Sequence, residues 1–252
     1  MKTVCILQAR MGSTRLPGKI LMPINRRSIL QHVVERIRGA ADIDEMIVAT
    51  TTNPEDDATE AACAAMGVRC IRGSDWDVLD RFYQAAMTCS QRPDVIVRIC
   101  ADNPTHHREV VDFSVRRLKQ LGLDYFSNGN QAPNFYEDGI TSEAFTMHAL
   151  ELVWREAVMM SEREHVTPYI KLSGKFKCGW QKFNQHFNYK LSIDTPEDFA
   201  ITEQIFIALG NDFSVSELVN FMNHHPEITN LFEAITFNTG YAKSIHEDKR
   251  VR

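Results

Sequence analysis

Along the first half of the chain the apolar positions alternate between two periods. TVCILQ (3–8), EMIVATT (45–51), VRCIRG (68–73) and DVIVRIC (94–100) are runs of six or seven residues rich in Val, Ile and Thr. Runs of that length and composition are those of buried strands. Between and after them, SILQHVVERIRG (28–39), NPEDDATEAACAAMG (53–67), DVLDRFYQAAMTCSQ (77–91) and REVVDFSVRRLKQLG (108–122) carry apolar residues at helical spacing. The second of these has a marked start: Asn53 is placed to cap, Pro54 fits the first turn, acids crowd the positive end and Gly67 stops it. DYFSN (124–128) predicts a fifth strand. Short strands alternating with helices through short links predict βαβ units, hence an α/β fold with a mostly parallel central sheet and helices on both faces.

From about residue 129 the rhythm changes. NGNQAPNFYEDGITS (128–142) is rich in turn residues, and the stretch 163–191 mixes aromatics with lysines and shows no βαβ period. The expectation is a single domain over 1–252, with 130–185 as an inserted, partly antiparallel subdomain and 240–252 as a polar tail. YKLSID (189–194) predicts a return to the main sheet. TPEDFAITEQIFIALG (195–210) then predicts a helix with Thr195 as N-cap, Pro196 in the first position and Asp198 three residues after the cap. SVSELVNFMNHH (214–225) is a last amphipathic segment.

Composition narrows the function classes. At 252 residues, 44% hydrophobic and 24% charged, the chain is an ordinary globular one with room for a large core. A net charge of −5 gives no overall electrostatic footprint for nucleic acid or an anionic membrane. No apolar run approaches the roughly 20 residues that span a bilayer. The apolar part of MKTVCILQAR is too short for a secretory signal, so the expected location is the cytoplasm. Cys5, Cys63, Cys70, Cys89, Cys100 and Cys178 show neither a CxxC pair nor zinc spacing, and are read as buried core thiols in a reducing compartment. The pairs His106–His107 and His224–His225 invite a metal reading, but helical neighbours point in different directions and no acid or Cys completes a set. They are expected to be exposed.

Against this acidic balance stands ARMGSTRLPGK (9–19), with three cations, two glycines and no acid. It leaves the first strand at the carboxyl edge, where open α/β sheets bind ligands. Gly12 and Gly18 permit close approach, and Ser13 and Thr14 offer hydroxyls. Successive N–H groups can form an anion nest, and Arg10, Arg15 and Lys19 supply charge, a set suited to several phosphates in a row. It is not a P-loop, because Ile20 follows Lys19, nor is it GxGxxG. The alternative is a flexible loop of solvated cations. Asp102, two residues past the fourth strand, and Asp194, at the end of YKLSID, fall at the same edge. Thr195 and Asp198 already meet the capping need beside Asp194; for Asp102 the alternative is an Asx-turn before Pro104.

QARMGSTRLPGKIL (8–21) resembles the N-terminal signature of bacterial cytidylyltransferases of the spore-coat polysaccharide biosynthesis type. These are relatives of the enzymes that make CMP-activated sialic acid and CMP-activated 3-deoxy-manno-octulosonate. VRICADNP (97–104), DGITSEAF (138–145), REHVTPYI (163–170), LSIDTPEDF (191–199) and TGYAKS (239–244) are similar to further blocks of that family, so the likeness runs from residue 4 to about 210 and touches the end of the chain. The resemblance implies transfer of CMP from CTP to a sugar acid of the nonulosonic or ulosonic type, with release of pyrophosphate. It implies Mg²⁺ as cofactor on Asp102 and Asp194. Arg10, Ser13 and Lys19, joined by Arg15 and Gly12, would grip the triphosphate, and the backbone around Ala9 and Arg10 would read cytosine. Arg10, Lys19, Asp102 and Asp194 are the catalytic set.

Arg72 matches a basic position near the nucleotide, with a surface cation as the alternative. Glu143, Arg163, Glu164 and His165 match blocks near the sugar site or a subunit contact; His165 would orient an acceptor carboxylate, act as a base, or simply be packed. Relatives of this type imply a homodimer through 130–185. There Phe135, Tyr136, Trp154, Tyr169 and Trp180 would form either the interface or the monomer's own core. One departure concerns the acceptor: members often read Asp-Cys-Pro-Leu after the fourth strand, whereas this chain reads DNPTHH, setting Thr105, His106 and His107 where the acceptor approaches. Other readings are a different NTP, a polyol-phosphate or phosphonate acceptor, or a nucleotide-binding subunit without catalysis.

Overall fold

A computed structural model describes residues 1–129, 137–187, 189–229, 231 and 244–251. Its strands are β1 (Thr3–Gln8), β2 (Pro23–Ile24), β3 (Arg27–Ser28), β4 (Glu45–Thr51), β5 (Arg69–Gly73), β6 (Val95–Cys100), β7 (Tyr125–Ser127), β8 (Glu143–Thr146) and β9 (Cys178–Trp180). Apart from the β2–β3 hairpin they form one sheet in the order β5-β4-β1-β6-β8-β7-β9. Every pairing in it is parallel except those of β8, which runs antiparallel to both β6 and β7. The mostly parallel sheet expected from the alternation is present.

The strand period explains how both faces are covered. Cys5 and Leu7 of β1 point into one core with Leu30, Val33 and Ile37 of α1 (Ile29–Ile37) and Val111, Val115 and Leu118 of α4 (Arg108–Leu121). Val4 and Ile6 point into the other, with Leu79 and Phe82 of α3 (Val78–Met87) and Leu150 and Val153 of α5 (Met147–Glu156). A strand buried on both faces reads as an unbroken apolar run, as TVCILQ does. A third cluster joins α8 (Pro196–Leu209) and α9 (Val215–His224) to Ile24, Ile29 and Ile193.

Caps set the helix starts. Ser28 accepts from Gln31 N at 3.1 Å, Asp77 from Asp80 N at 2.9 Å, and Thr195 forms a capping box with Asp198. Asn53 makes no side-chain cap bond; Pro54–Asp56 is a 3-10 turn, and α2 (Asp57–Ala65) begins only after it, because Asp56 is turned inward to hold the basic loop.

Three further expectations are corrected. Residues 189–194 do not rejoin the sheet: Lys190 makes an isolated parallel bridge with Asp138, and Ile193 N donates to Asp102 O at 2.9 Å. Of the cysteines only Cys5 and Cys63 are buried, the other four being partly exposed, and all six are free thiols. His106 and His107 are buried, not exposed. They sit before α4, His106 closing a turn onto Asn103 O at 3.1 Å and His107 in extended backbone, where Arg36 reaches the carbonyls of Thr105 and His106 and the 139–141 turn covers His106. Their adjacency therefore never had to satisfy a helical geometry.

The segment 130–185 supplies β8 and β9, with α5, α6 (Met160–His165) and α7 (Pro168–Leu172), to this same body. Trp154 stacks on Tyr83 at 4.1 Å and donates to Asp80, Tyr169 donates to Glu156, and Trp180 lies against Tyr125; Phe135 and Tyr136 lie outside the described residues. Most of TGYAKS lies outside them too. No helix among the described residues is long and apolar enough to cross a membrane.

Candidate active site

The basic loop leaves β1 at the carboxyl edge and is tied down from within. Ala9 N still bonds Ala49 O at 3.2 Å; Met11 N donates to Asp56 Oδ1 at 2.9 Å, and Met11 O accepts from Ser13 N and Gly18 N at 2.8 and 3.0 Å. Gly18 takes φ +71°, a left-handed turn that an L side chain would strain, and at Gly12 a Cβ would lie 2.8 Å from Glu55 Oε1. Asp56, fully buried, also accepts from Thr51 and from Thr59 Oγ1. The acid run after Pro54 predicts only favourable charge at a helix start, and nothing in it marks Asp56 as the anchor of the loop.

The loop ends on Lys19, which is 7% exposed. Its Nζ lies 2.7 Å from Asp102 Oδ2, 3.1 Å from Asp194 Oδ1 and 2.5 Å from Ile193 O. Arg15 reaches the same Asp194 oxygen at 2.8 Å. Behind it, Lys190 Nζ bonds Asp198 Oδ2 at 2.5 Å and Ser192 O at 2.6 Å, and stands 3.6 Å from Asp194 Oδ2. Burial works against the charge of Asp194, but Lys19, Lys190 and Arg15 outweigh it and lower the carboxyl below its ordinary range. Burial likewise opposes the Lys19 ammonium, which Asp102 and Asp194 together hold above its ordinary value. The structure thus brings Arg15, Lys19, Asp102 and Asp194 to one point, beside a cavity of about 650 Å³ that Arg10 and Ser13 also line.

The donor set fits magnesium. Two carboxylates converge on one ammonium, and magnesium takes one or two carboxylates plus phosphate oxygens and water, so Asp102 and Asp194 would be the residues to hold it. Among the described residues no group of three or more His, Cys, Asp or Glu is arranged as a closed protein cage for a metal.

A smaller cavity, about 190 Å³, adjoins the first and shares Cys100, Asp102, His165 and Asp194 with it. Its floor is Glu143 of β8, which accepts from Tyr125 Oη at 2.6 Å, Thr167 Oγ1 at 2.7 Å and Arg98, with Lys171 Nζ at 3.9 Å. Burial opposes this charge, yet Arg98, Lys171 and the hydroxyl donors bring the carboxyl down to about 2. Asp138, whose carboxyl burial pushes up, lines the same cavity and accepts from Ser192 N at 2.9 Å. Arg98, Lys171 and Asp138 were missed in sequence. A cation inside the apolar run DVIVRIC was the signal for Arg98 and the head of the DGITSEAF block the signal for Asp138; Lys171 left none.

Arg163 and Arg72 line neither cavity. Arg163 is buried, bonding Asp77 Oδ2 at 2.7 Å and the carbonyls of Trp154 and Ala157, where it ties α6 to the start of α3. Arg72 bonds Asp57, Glu60 and the carbonyls of Thr51 and Asn53. Thr105 and His106 bond the carbonyls of Gly139 and Thr141, bracing from behind the turn that lines the smaller cavity; burial drives the His106 imidazole down to about 3, so it is neutral. His165 lines both cavities, and burial lowers it to about 4.

A family profile described as cytidylyltransferase matches residues 4–228. The spore coat polysaccharide biosynthesis protein SpsF of Bacillus subtilis is 35% identical over 240 residues, covering 91% of this chain and 97% of that protein. The solved structure of a cytidylyltransferase from Leptospira borgpetersenii is similar with a TM-score of 0.83 and 33% identity, over 91% of this chain and 97% of that one. A CMP:2-keto-3-deoxy-manno-octonic acid synthetase complexed with CTP shares the fold, with a TM-score of 0.64 at 19% identity over 82% of this chain and 99% of that one.

Proposed function

We propose that this chain, which belongs to the cytidylyltransferase family, transfers CMP from CTP to a sugar acid of the nonulosonic or ulosonic type for surface polysaccharide or glycan synthesis. An acceptor hydroxyl oxygen attacks the α-phosphorus, the bond from that phosphorus to the bridging oxygen breaks, pyrophosphate leaves, and the hydroxyl proton passes to a base lining the smaller cavity. The observation that carries this reading is the convergence of Lys19 and Arg15 on Asp102 and Asp194 at the edge where β1 and β6 end.

Phosphoryl-type transfer asks the protein mainly for positioning and charge stabilisation. Arg10, Ser13, Arg15 and Lys19, with the close approach allowed at Gly12, hold the triphosphate, and the backbone at Ala9 and Arg10 faces the cytosine. Arg72, engaged by Thr51, Asn53, Asp57 and Glu60, serves the nucleotide in this reading through the seat of the loop. Mg²⁺ held by Asp102 and Asp194 would neutralise phosphate charge. The smaller cavity is lined by the cations Arg98 and Lys171 as well as by Asp102, Asp138, Glu143 and Asp194; Lys171, 3.9 Å from Glu143, is the cation we assign to an acceptor carboxylate, with His165 at the junction of the two cavities. Activity in the cytoplasm and a homodimer through 130–185 complete the reading; sedimentation showing a monomer at all concentrations would remove the dimer.

The test is pyrophosphate release from each of the four NTPs with Mg²⁺, against a panel of nonulosonic acids, 3-deoxy-octulosonate and polyol phosphates. Release specific to CTP and to one sugar acid is expected. Release with a polyol phosphate would change the acceptor class, and absence of CTP binding by calorimetry would sink the nucleotide assignment.

A further inference from the structure

The segment 244–251, at the far end of the sequence, lies against the start of α6 through main-chain and side-chain bonds. Met160 N donates to Lys249 O and Val251 N to Val158 O, both at 2.8 Å, and Met159 pairs with Arg250 in an antiparallel bridge. Asp248 accepts from Ser161 N at 2.9 Å and from Ser161 Oγ at 2.7 Å. Docked in this way, the segment walls the larger cavity with Ser244 and Glu247, across from the basic loop.

Ser244 meets two residues of α6 at once. Its Oγ lies 2.9 Å from Glu164 Oε2 and 3.0 Å from His165 Nε2. A serine hydroxyl has one proton, and a carboxylate only accepts. The proton of Ser244 is therefore committed to Glu164, and the bond to His165 requires the imidazole to donate from Nε2. That fixes the ring as the Nε2–H tautomer, with the lone pair on Nδ1. Which ring nitrogen carries the proton is set by the bond the other groups impose, and a histidine at a reacting site depends on it.

We propose that the C-terminal segment is a built part of the active site, with Ser244 a positioning residue that fixes the ring orientation and tautomer of His165 at the junction of the nucleotide and acceptor cavities. The proposal rests on the functional reading above for what those cavities hold, and on nothing in it for the tautomer.

The experiment is long-range ¹H–¹⁵N NMR of the histidine rings in the full chain, with His165 assigned by its loss in His165→Gln. The wild type should show His165 as one tautomer, protonated at Nε2, whose signals move when CTP and Mg²⁺ are added. Ser244→Ala should give a mixture of tautomers. Ser244→Thr, which keeps the hydroxyl, should restore the wild-type signature. Asp248→Asn, which loosens the segment without touching His165, should reproduce the Ser244→Ala spectrum in part. An unchanged His165 signature in Ser244→Ala, or wild-type His165 signals indifferent to bound CTP, would overturn the proposal. Failure of the wild type to bind CTP would instead overturn the assignment of the cavities, and with it the site role of the segment.

Discussion

Asp194 and Glu143 stand near the same end of the sheet, each among several donors, and are held in opposite ways. The side chain of Asp194 keeps 22% of its surface exposed, and its partners are Lys19, Arg15 and Lys190, mobile or forked cations around two oxygens. Glu143 keeps 1%, and its partners are a buried arginine, a tyrosine, a threonine and a lysine. The first can exchange one cation for another as a nucleotide arrives. The second is a buried charge network, in which removal of one partner leaves the other charge stranded. Partner type and access, rather than the number of charges, separate a reacting centre from a supporting one.

Neutralising each carboxylate in turn breaks the comparison most directly. Asp194→Asn or Asp102→Asn should lower pyrophosphate release by about 10²- to 10³-fold, the scale of losing one charge-stabilising group at such a centre, with little change in melting temperature. Glu143→Gln keeps the shape but strands Arg98 beneath the cavity. It should cost about 3–5 kcal/mol of folding stability, read from urea unfolding. If Glu143→Gln spared stability while abolishing turnover, the two centres would be one.

Acid sharpens the contrast. The Glu143 carboxyl is lowered in the folded state from 4.5 to about 2, so its contribution to stability is complete above the ordinary value and is lost as pH falls from about 4.5 through about 2. Urea unfolding across that window should therefore show the gap between wild type and Glu143→Gln narrowing as pH drops. A gap that stays constant would mean that the charge of Glu143 contributes nothing.

What could be read in advance follows the same division. β1, β4 and β6 were legible because parallel strands buried on both faces are nearly continuous apolar runs, and helices such as α8 announce themselves with Thr195, Pro196 and Asp198. β8 and β9, of four and three residues, are too short to show a period; their place is set by long-range register, such as Phe126 opposite both Ala144 and Gly179. Lys19, Asp102 and Asp194 were legible because each follows a strand-like run at one edge. Arg163 was not, since its partner Asp77 lies 86 residues away and a buried cation looks like any other in sequence. The His106–His107 pair misled for a different reason. The two residues lie before the helix, so helical geometry does not govern them, and their burial comes from α1 and the 139–141 turn.

Arg72 is the smallest and the most discriminating case, because its type and place at the end of β5 suit a nucleotide contact. Its guanidinium is already engaged by two main-chain carbonyls, Thr51 O at 2.9 Å and Asn53 O at 2.8 Å, and by Asp57 and Glu60 at 2.6 and 3.0 Å. Those carbonyls belong to the turn that carries Asp56, which in turn holds Met11 of the basic loop. Arg72 can therefore act on the nucleotide indirectly, through the seat of the loop, while its bonds to exposed acids are individually weak. Arg72→Ala should change CTP affinity by less than about fivefold, the range of such surface pairs. Asp56→Asn, which strikes the loop anchor itself, should weaken CTP binding more. A larger loss in Arg72→Ala than in Asp56→Asn, measured side by side by calorimetry, would mean that the guanidinium leaves its present partners and binds the nucleotide itself.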